Sequence, residues 1–254
     1  MEALEYETLS AVEQSHWWFQ AFRDLLRQCF NQPRFRLPIG ASVLDAGCGT
    51  GANLSFLRSM LEPEYLGGFD ITPQAVQWAA QKCPSADVYL SDICNPMLHR
   101  GQYDLILSCD VIYIPGIAAS IDGLKRMTQH LAPGGLFVLN VPAYQWLYSD
   151  HDRAVHTRER FHRQQIVALL VELGLDCELV TYRLCGLFPL LVARRLPSIL
   201  RIAKKSSTTS ELDLPHPLLN SLYLQVMRLE NSTIAKNLRF PFGSSIFAVG
   251  RKVL

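Results

Sequence analysis

The nine residues VLDAGCGTG at positions 43–51 put Asp45, Gly47, Cys48, Gly49 and Gly51 into one short turn. Glycine lacks a β-carbon, so main chain can approach a ligand closely there, and a helix that follows aims free N–H groups at the same space. Two further acids follow, Asp70 in GFDI and Asp92 in SDIC. A second cluster lies in VPAYQWLYSDHDRAVHTRERFHRQQI, residues 141–166, which gathers Tyr144, Trp146, Tyr148, His151, Asp152, His156, Arg158 and Arg160. His151, His156, Asp152 and Tyr148 are candidate proton carriers for an oxygen or nitrogen nucleophile. Arg158 and Arg160 are candidates for an anionic substrate group. Loosely spaced donors in a polar loop are a weak metal pattern, and no metal is expected. A third group, HWWF at 16–19, offers His16, Trp17 and Trp18 either to a substrate pocket or to an amphipathic helix sealing a sheet edge.

These groups need a scaffold. Residues 7–30 carry Trp17, Phe22, Leu25, Leu26 and Cys29 at helical spacing. After Pro33, Pro38 and Gly40, short apolar runs alternate with helical patterns. Strands are expected over ASVLDAG, 64–70, 86–92, 103–110, 136–142, LDCELVTYRL and 244–253. Helices are expected over 51–61, 72–82, 120–131 and RQQIVALLVELG. Thr72 and Pro73 read as the cap and first position of one of them. This alternation predicts an α/β fold with a mostly parallel, Rossmann-like sheet covered by helices, and a ligand beyond the carboxyl ends of its strands.

Between 186 and 240 the alternation stops, over a span too long for an ordinary connection. We divide the chain into an N-terminal helical cap (1–40), a core (41–185), a mainly helical cap or substrate-binding insertion (186–240) and a final core strand (241–254). In the insertion, Pro189 and Pro197 argue against one straight helix in GLFPLLVARRLPSILRIAKK. SSTTSELDLPHP reads as a mobile loop. LLNSLYLQVMRLEN returns to a helical period with Leu222, Val226 and Leu229 on one side. The insertion either closes a pocket for an apolar substrate, packs as a helix or dimer contact, or touches an anionic membrane, the least favoured of the three.

The chain has 254 residues, 49% hydrophobic, with a formal charge of +1, so it has no broad phosphate track and no nucleic-acid partner is expected. A small-molecule substrate and a monomer or homodimer are expected instead. Its seven cysteines are odd in number and none is in CxxC spacing, which argues against a disulfide framework and for a reducing, cytoplasmic setting. MEALEYETLS does not read as a signal peptide, and no apolar run reaches the length of a membrane span.

The glycine turn does not reproduce the GxGxxG spacing of dinucleotide folds, and Asp45 would repel a pyrophosphate placed there. A cofactor with a cationic end and no phosphate removes that conflict. VLDAGCGTG resembles motif I of the class I methyltransferases that use S-adenosylmethionine (SAM). YDLILSCDVIYI and LAPGGLFVLNVP resemble the later motifs around the fourth and fifth strands, and the likeness covers 41–183 and resumes at 244–253. It implies that Asp45 organises the loop and the methionine ammonium, and that Gly47 and Gly49 cradle the methionine part. It further implies that Asp70 binds the ribose hydroxyls and that Asp92, beside Ile93, meets the adenine amino group. Cys48, Gly51, Ile71 and Cys109 complete the implied cofactor set, with Cys48 in a packing role. Cys109 and Asp110 lie where the family's fourth strand opens onto the methyl group.

HWWF together with PAYQWLYSDHD is similar to a bacterial subgroup of these enzymes, which departs here at Glu159 and Phe161. His16, Trp17, Trp18, Tyr113, Tyr144, Trp146, Arg158 and Arg160 are the substrate candidates. The expected activity is methylation of a small molecule at oxygen, nitrogen or activated carbon, in bacterial specialised metabolism. Another SAM-dependent group transfer or rearrangement and a non-catalytic SAM-binding subunit are the alternatives. CDVIYI lacks the (N/D)PP(Y/F) pattern of many nucleic-acid amino methyltransferases.

Overall fold

A computed structural model of the protein describes residues 3–199 and 214–253. Five parallel strands form its centre: β1 (Ser42–Ala46), β2 (Tyr65–Asp70), β3 (Asp87–Leu90), β4 (Tyr103–Cys109) and β5 (Leu131–Pro142). With β6 (Leu175–Arg183) and β7 (Ser245–Lys252), the sheet order among the described residues is β3-β2-β1-β4-β5-β7-β6. β7 runs antiparallel to both neighbours. This is the expected Rossmann-like sheet. Strand order reverses between β1 and β4, the crevice where open α/β sheets hold ligands.

Burial follows from the sequence runs. Val43, Leu44 and Ala46 of β1 and Leu105, Ile106 and Leu107 of β4 are wholly buried, as strands covered on both faces require. The helices that cover them are α3 (Ala52–Leu61), α4 (Pro73–Lys82), α5 (Ile117–Gln129), a short α6 (Asp150–Ala154) and α7 (Arg163–Glu172). The expected helix at 7–30 is two helices, α1 (Ala3–Val12) and α2 (Trp17–Phe30). The break comes at His16, whose backbone is extended and whose Nδ1 accepts the Trp18 N–H as the cap of α2.

The insertion departs from expectation twice. One helix, α8 (Phe188–Ile199), runs through both prolines. Pro189 falls in its first turn, where the missing N–H costs nothing, and Pro197 in its last. In the second helix, α9 (Pro217–Ala235), Leu222 and Leu229 are 56% and 71% exposed. Its buried face is Leu224, Met227, Asn231 and Ile234 instead. That face lies on α2, where Asn231 donates to the Ala21 carbonyl and to Asp24, and Asn220 bridges Ser15 and Trp17. The insertion is thereby tied to the N-terminal helices. Most of the expected mobile loop, and Arg201, Lys204 and Lys205, lie outside the described residues. Among the described residues no helix is long and apolar enough to cross a membrane, and no group of three or more His, Cys, Asp or Glu could hold a metal ion.

Candidate active site

The loops after β1–β5 line one cavity of about 840 Å³ together with α1, α2, α6, α8 and α9. Small-molecule sites span roughly 300–1,000 Å³, so this one has room for more than a single small ligand.

The three glycines of the turn all have positive φ, and each for a different reason. A β-carbon on Gly47 would lie 2.2 Å from Val111, and one on Gly51 would lie 2.7 Å from the Ala79 main chain. Both therefore serve packing inside the protein, a correction to the ligand role read for them from sequence. A β-carbon on Gly49 would meet nothing within 4 Å. Gly49 alone faces open space. Gly47, Cys48 and Gly49 line the cavity, and Gly51 does not.

Three acids surround this loop. Asp45 is 1% exposed, and its Oδ2 has no hydrogen-bond partner among the described residues. Burial first and then Asp70 push its carboxyl up to about 7. A buried carboxylate with an unmet acceptor fits a cation at the loop. Asp70 accepts from the Gly49 N–H at 3.1 Å, the Thr72 N–H at 3.0 Å and Tyr6 Oη at 3.5 Å, while burial raises its pKa. Asp92, half-buried, accepts from the Cys94 N–H at 2.9 Å. Asp70, Ile71, Asp92, Ile93 and Cys109 all line the cavity. Burial raises the Cys48 and Cys109 thiols well above their ordinary value, so neither is a ready nucleophile.

The N-terminal helices fasten over the loop. Tyr6 Oη lies 3.1 Å from Thr72 Oγ1, Thr50 Oγ1 donates to Glu13 at 2.6 Å, and Lys82 pairs with Glu13. His16, Trp17 and Trp18 line the adjoining wall. Burial and then the Arg194 charge lower the His16 pKa to about 4, so its ring is neutral at pH 7. Since Nδ1 accepts the cap hydrogen bond, the ring proton is assigned to Nε2.

The polar loop is divided by the fold. His151, Asp152 and Arg160 line the cavity together with Tyr113. Tyr144, Trp146, Tyr148, His156 and Arg158 do not. Tyr144 stacks on Tyr182 at 5.0 Å, and Trp146 is 50% exposed and edges onto Phe188. His156 is exposed at φ 58°, and exposed Arg158 donates its main-chain N–H to the Tyr113 carbonyl. Glu159 accepts the Ile117 N–H at the start of α5, which accounts for an acid between the two arginines. Asp152 is 1% exposed, caps α6 through Ser149, and meets Arg160 at 2.5 Å and Arg195 at 3.5 Å. Burial alone would raise its pKa, but the two guanidiniums outweigh that and hold it below the usual carboxylate range. It is an ion-pair anchor and a poor proton acceptor, a correction to its candidacy as a base.

A better acceptor stands one residue past β4. Asp110 lines the cavity at φ 56°, a conformation uncommon for non-glycine residues. Asn140 Nδ2 donates to its Oδ2 at 2.9 Å, and the fully buried Arg183 donates to Asn140 Oδ1 at 3.1 Å. Burial pushes the Asp110 carboxyl up to about 7 against the opposing effects of Asn140 and Arg183. Sequence gave its position beside Cys109 but no reason to prefer it, because Asn140 and Arg183 come from β5 and β6, 30 and 73 residues away.

Residues 43–135 match a family model described as a methyltransferase domain. Residues 43–135 are a class I SAM-dependent methyltransferase domain. A dTDP-4-amino-2,3,4,6-tetradeoxy-D-glucose N,N-dimethyltransferase from Saccharopolyspora spinosa is 28% identical over 143 residues, 54% of this chain and 54% of that protein. A trans-aconitate 2-methyltransferase from Deinococcus radiodurans is 30% identical over 118 residues, 46% of this chain and 41% of that protein. The methyltransferase-domain chain thus spans about half the length of these curated relatives. Among solved structures, the N-methyltransferase NodS from Bradyrhizobium japonicum WM9, in complex with S-adenosyl-L-homocysteine (SAH), shares the fold. Its TM-score is 0.55 at 15% identity, over 92% of this chain and 87% of that one. The domain's cofactor is SAM. The open space at Gly49 and the unpartnered Asp45 oxygen both fit it.

Proposed function

We propose that the protein transfers the SAM methyl group to an oxygen, nitrogen or activated carbon of a small molecule in bacterial specialised metabolism. One observation carries this reading. A single cavity joins the glycine loop, Asp70 and Asp92 to a second lobe walled by Trp17, Trp18, Tyr113 and Leu191. Residues 1–40 and 186–240 act as caps over the core in this reading. The amino-sugar N,N-dimethyltransferase named above supports a small-molecule acceptor.

Asp45 and the glycine loop would hold the methionine end of the cofactor, Asp70 the ribose hydroxyls and Asp92 the adenine amino group. SAM supplies a methyl group already activated on a sulfonium. The remaining work falls to the chain: holding the acceptor about 3 Å from its target and excluding water. Asp110 is the proton acceptor for a hydroxyl or protonated amine, since its pKa of about 7 suits transfer at neutral pH. His16, with its N–H on Nε2, donates to an acceptor oxygen, and His151 lines the same lobe.

The test is mass spectrometry of purified protein with methyl-labelled SAM and a bacterial small-molecule extract. A labelled product formed in step with SAH is expected. SAM binding by calorimetry with no SAH above background in any fraction would refute catalysis and favour a non-catalytic SAM-binding subunit.

A further inference from the structure

The second lobe of the cavity has a chemical character of its own. Leu184, Leu187, Leu190 and Leu191, at the end of β6 and on α8, line it with Leu214 and Leu219 beside α9. Leu190, Leu214 and Leu219 are 51%, 48% and 45% exposed while lining the cavity, so its mouth has an apolar rim. A wall of this kind offers nothing to a small polar acceptor, and it stabilises an alkyl or isoprenoid-like body.

Charge is segregated within the same cavity. The lining acids Asp70, Asp92 and Asp110 sit on the loops after β2, β3 and β4, at the sheet end, and Glu13 is paired with Lys82. On the helical side, the described lining residues include one carboxylate, Asp152, shared by Arg160 and Arg195. That trio carries one excess positive charge. Arg194, exposed and cavity-lining, adds another, and no described carboxylate is paired with it. Its charge already bears on His16, which stays neutral and keeps one ring N–H as a donor. Two uncompensated cations beside apolar walls favour an anion, because the field is weakly screened there.

We infer that the lobe takes an amphipathic anion, with an apolar body against the α8–α9 leucines and a carboxylate or phosphate at Arg194. As the identity of the methyl acceptor, this rests on the methyl-transfer reading above. As a binding property, it can be measured without turnover.

The experiment uses the full chain with and without SAH, read by calorimetry and by the fluorescence of Trp17 and Trp18. SAH binding is measured first, so a failure of the cofactor reading is seen separately. The probes are decanoate, decyl phosphate, decan-1-ol and decyltrimethylammonium, with hexanoate and octanoate to vary chain length. The anions are expected to bind at least ~10-fold tighter than the alcohol and the ammonium weakest. Affinity is expected to rise about fourfold per methylene until the wall is filled. Arg194→Gln, on an exposed side chain, should weaken decanoate about fivefold and leave decan-1-ol unchanged. Sedimentation with phosphatidylglycerol but not phosphatidylcholine vesicles, lost in Arg194→Gln, would identify the anion as a lipid headgroup. Binding of decyl phosphate without sedimentation would identify a free amphiphile. Equal affinity for decanoate and decan-1-ol, no dependence on chain length, or an Arg194→Gln variant that binds decanoate as the parent does would each overturn the proposal.

Discussion

Asp45 gives the sharpest test of the cofactor site, because its replacement should move stability and affinity in opposite directions. Its side chain is 1% exposed, Oδ2 has no partner, and burial together with Asp70 lifts the carboxyl from 3.8 to about 7. Ionising that group in the folded, cofactor-free protein at pH 8 costs roughly 4 kcal/mol as an upper bound. Asp45→Asn removes the charge and keeps the shape, at about 1–3 kcal/mol for the new unpaired amide donors. A net gain of about 2 kcal/mol at pH 8 follows, or a Tm rise of roughly 4–8 °C for a chain of this size.

The pH dependence has a definite sign. Between about pH 4 and pH 7 the folded chain holds the Asp45 proton and the unfolded chain does not. This contribution is therefore fully present below pH 4 and is lost as pH rises to 7, and the variant should flatten that slope. SAM affinity should fall about 10–100-fold, since the cofactor's cationic end loses a charged acceptor. Denaturant melts at pH 5 and pH 8, with SAM calorimetry, read both effects. A variant less stable than the parent at pH 8, or one that binds SAM unchanged, would refute the argument.

Asp110→Asn should lower kcat by about 10²–10⁴-fold and abolish an acid limb near pH 7 in the kcat/KM profile; an unchanged profile assigns the proton elsewhere. The glycines should separate by function. Gly51→Ala drives a β-carbon into the Ala79 main chain and should destabilise by more than 2 kcal/mol, while Gly49→Ala should cost about 1 kcal/mol and chiefly weaken SAM, as melts and calorimetry on both would show. Asp152→Ala leaves Arg160 and Arg195 facing each other in a buried site, so a loss of about 3–5 kcal/mol is expected, visible as a lower denaturation midpoint before any effect on chemistry.

Much of the fold was legible because local chemistry and tertiary structure agree there. VLDAG is apolar enough to be buried on both faces, and the glycines that follow allow the positive φ values at Gly47, Gly49 and Gly51. Strand and helix alternation led to the mostly parallel sheet, and the acids at 45, 70 and 92 marked the ends of successive strands or the loop after one. Helix ends were less legible. The break at His16 needs a side-chain cap, and the helix through Pro189 and Pro197 depends on both prolines falling in terminal turns.

What the sequence by itself determined is the strand order of chemistry: a glycine turn after the first strand and carboxylates near the ends of the next two. Periodicity and residue type are local properties, and they survive without contacts. What only the tertiary structure decided is which side chains share a space. Leu222 and Leu229 carry the helical period, yet the opposite face packs on α2, because Asn231 and Met227 find partners there and the leucines do not. Asp152 and Asp110 look alike in sequence. Two arginines hold one below the carboxylate range, while burial with only Asn140 and Arg183 in opposition raises the other to about 7. Those partners come from distant strands and helices, so the difference between an anchor and a base is set by folding rather than by spacing.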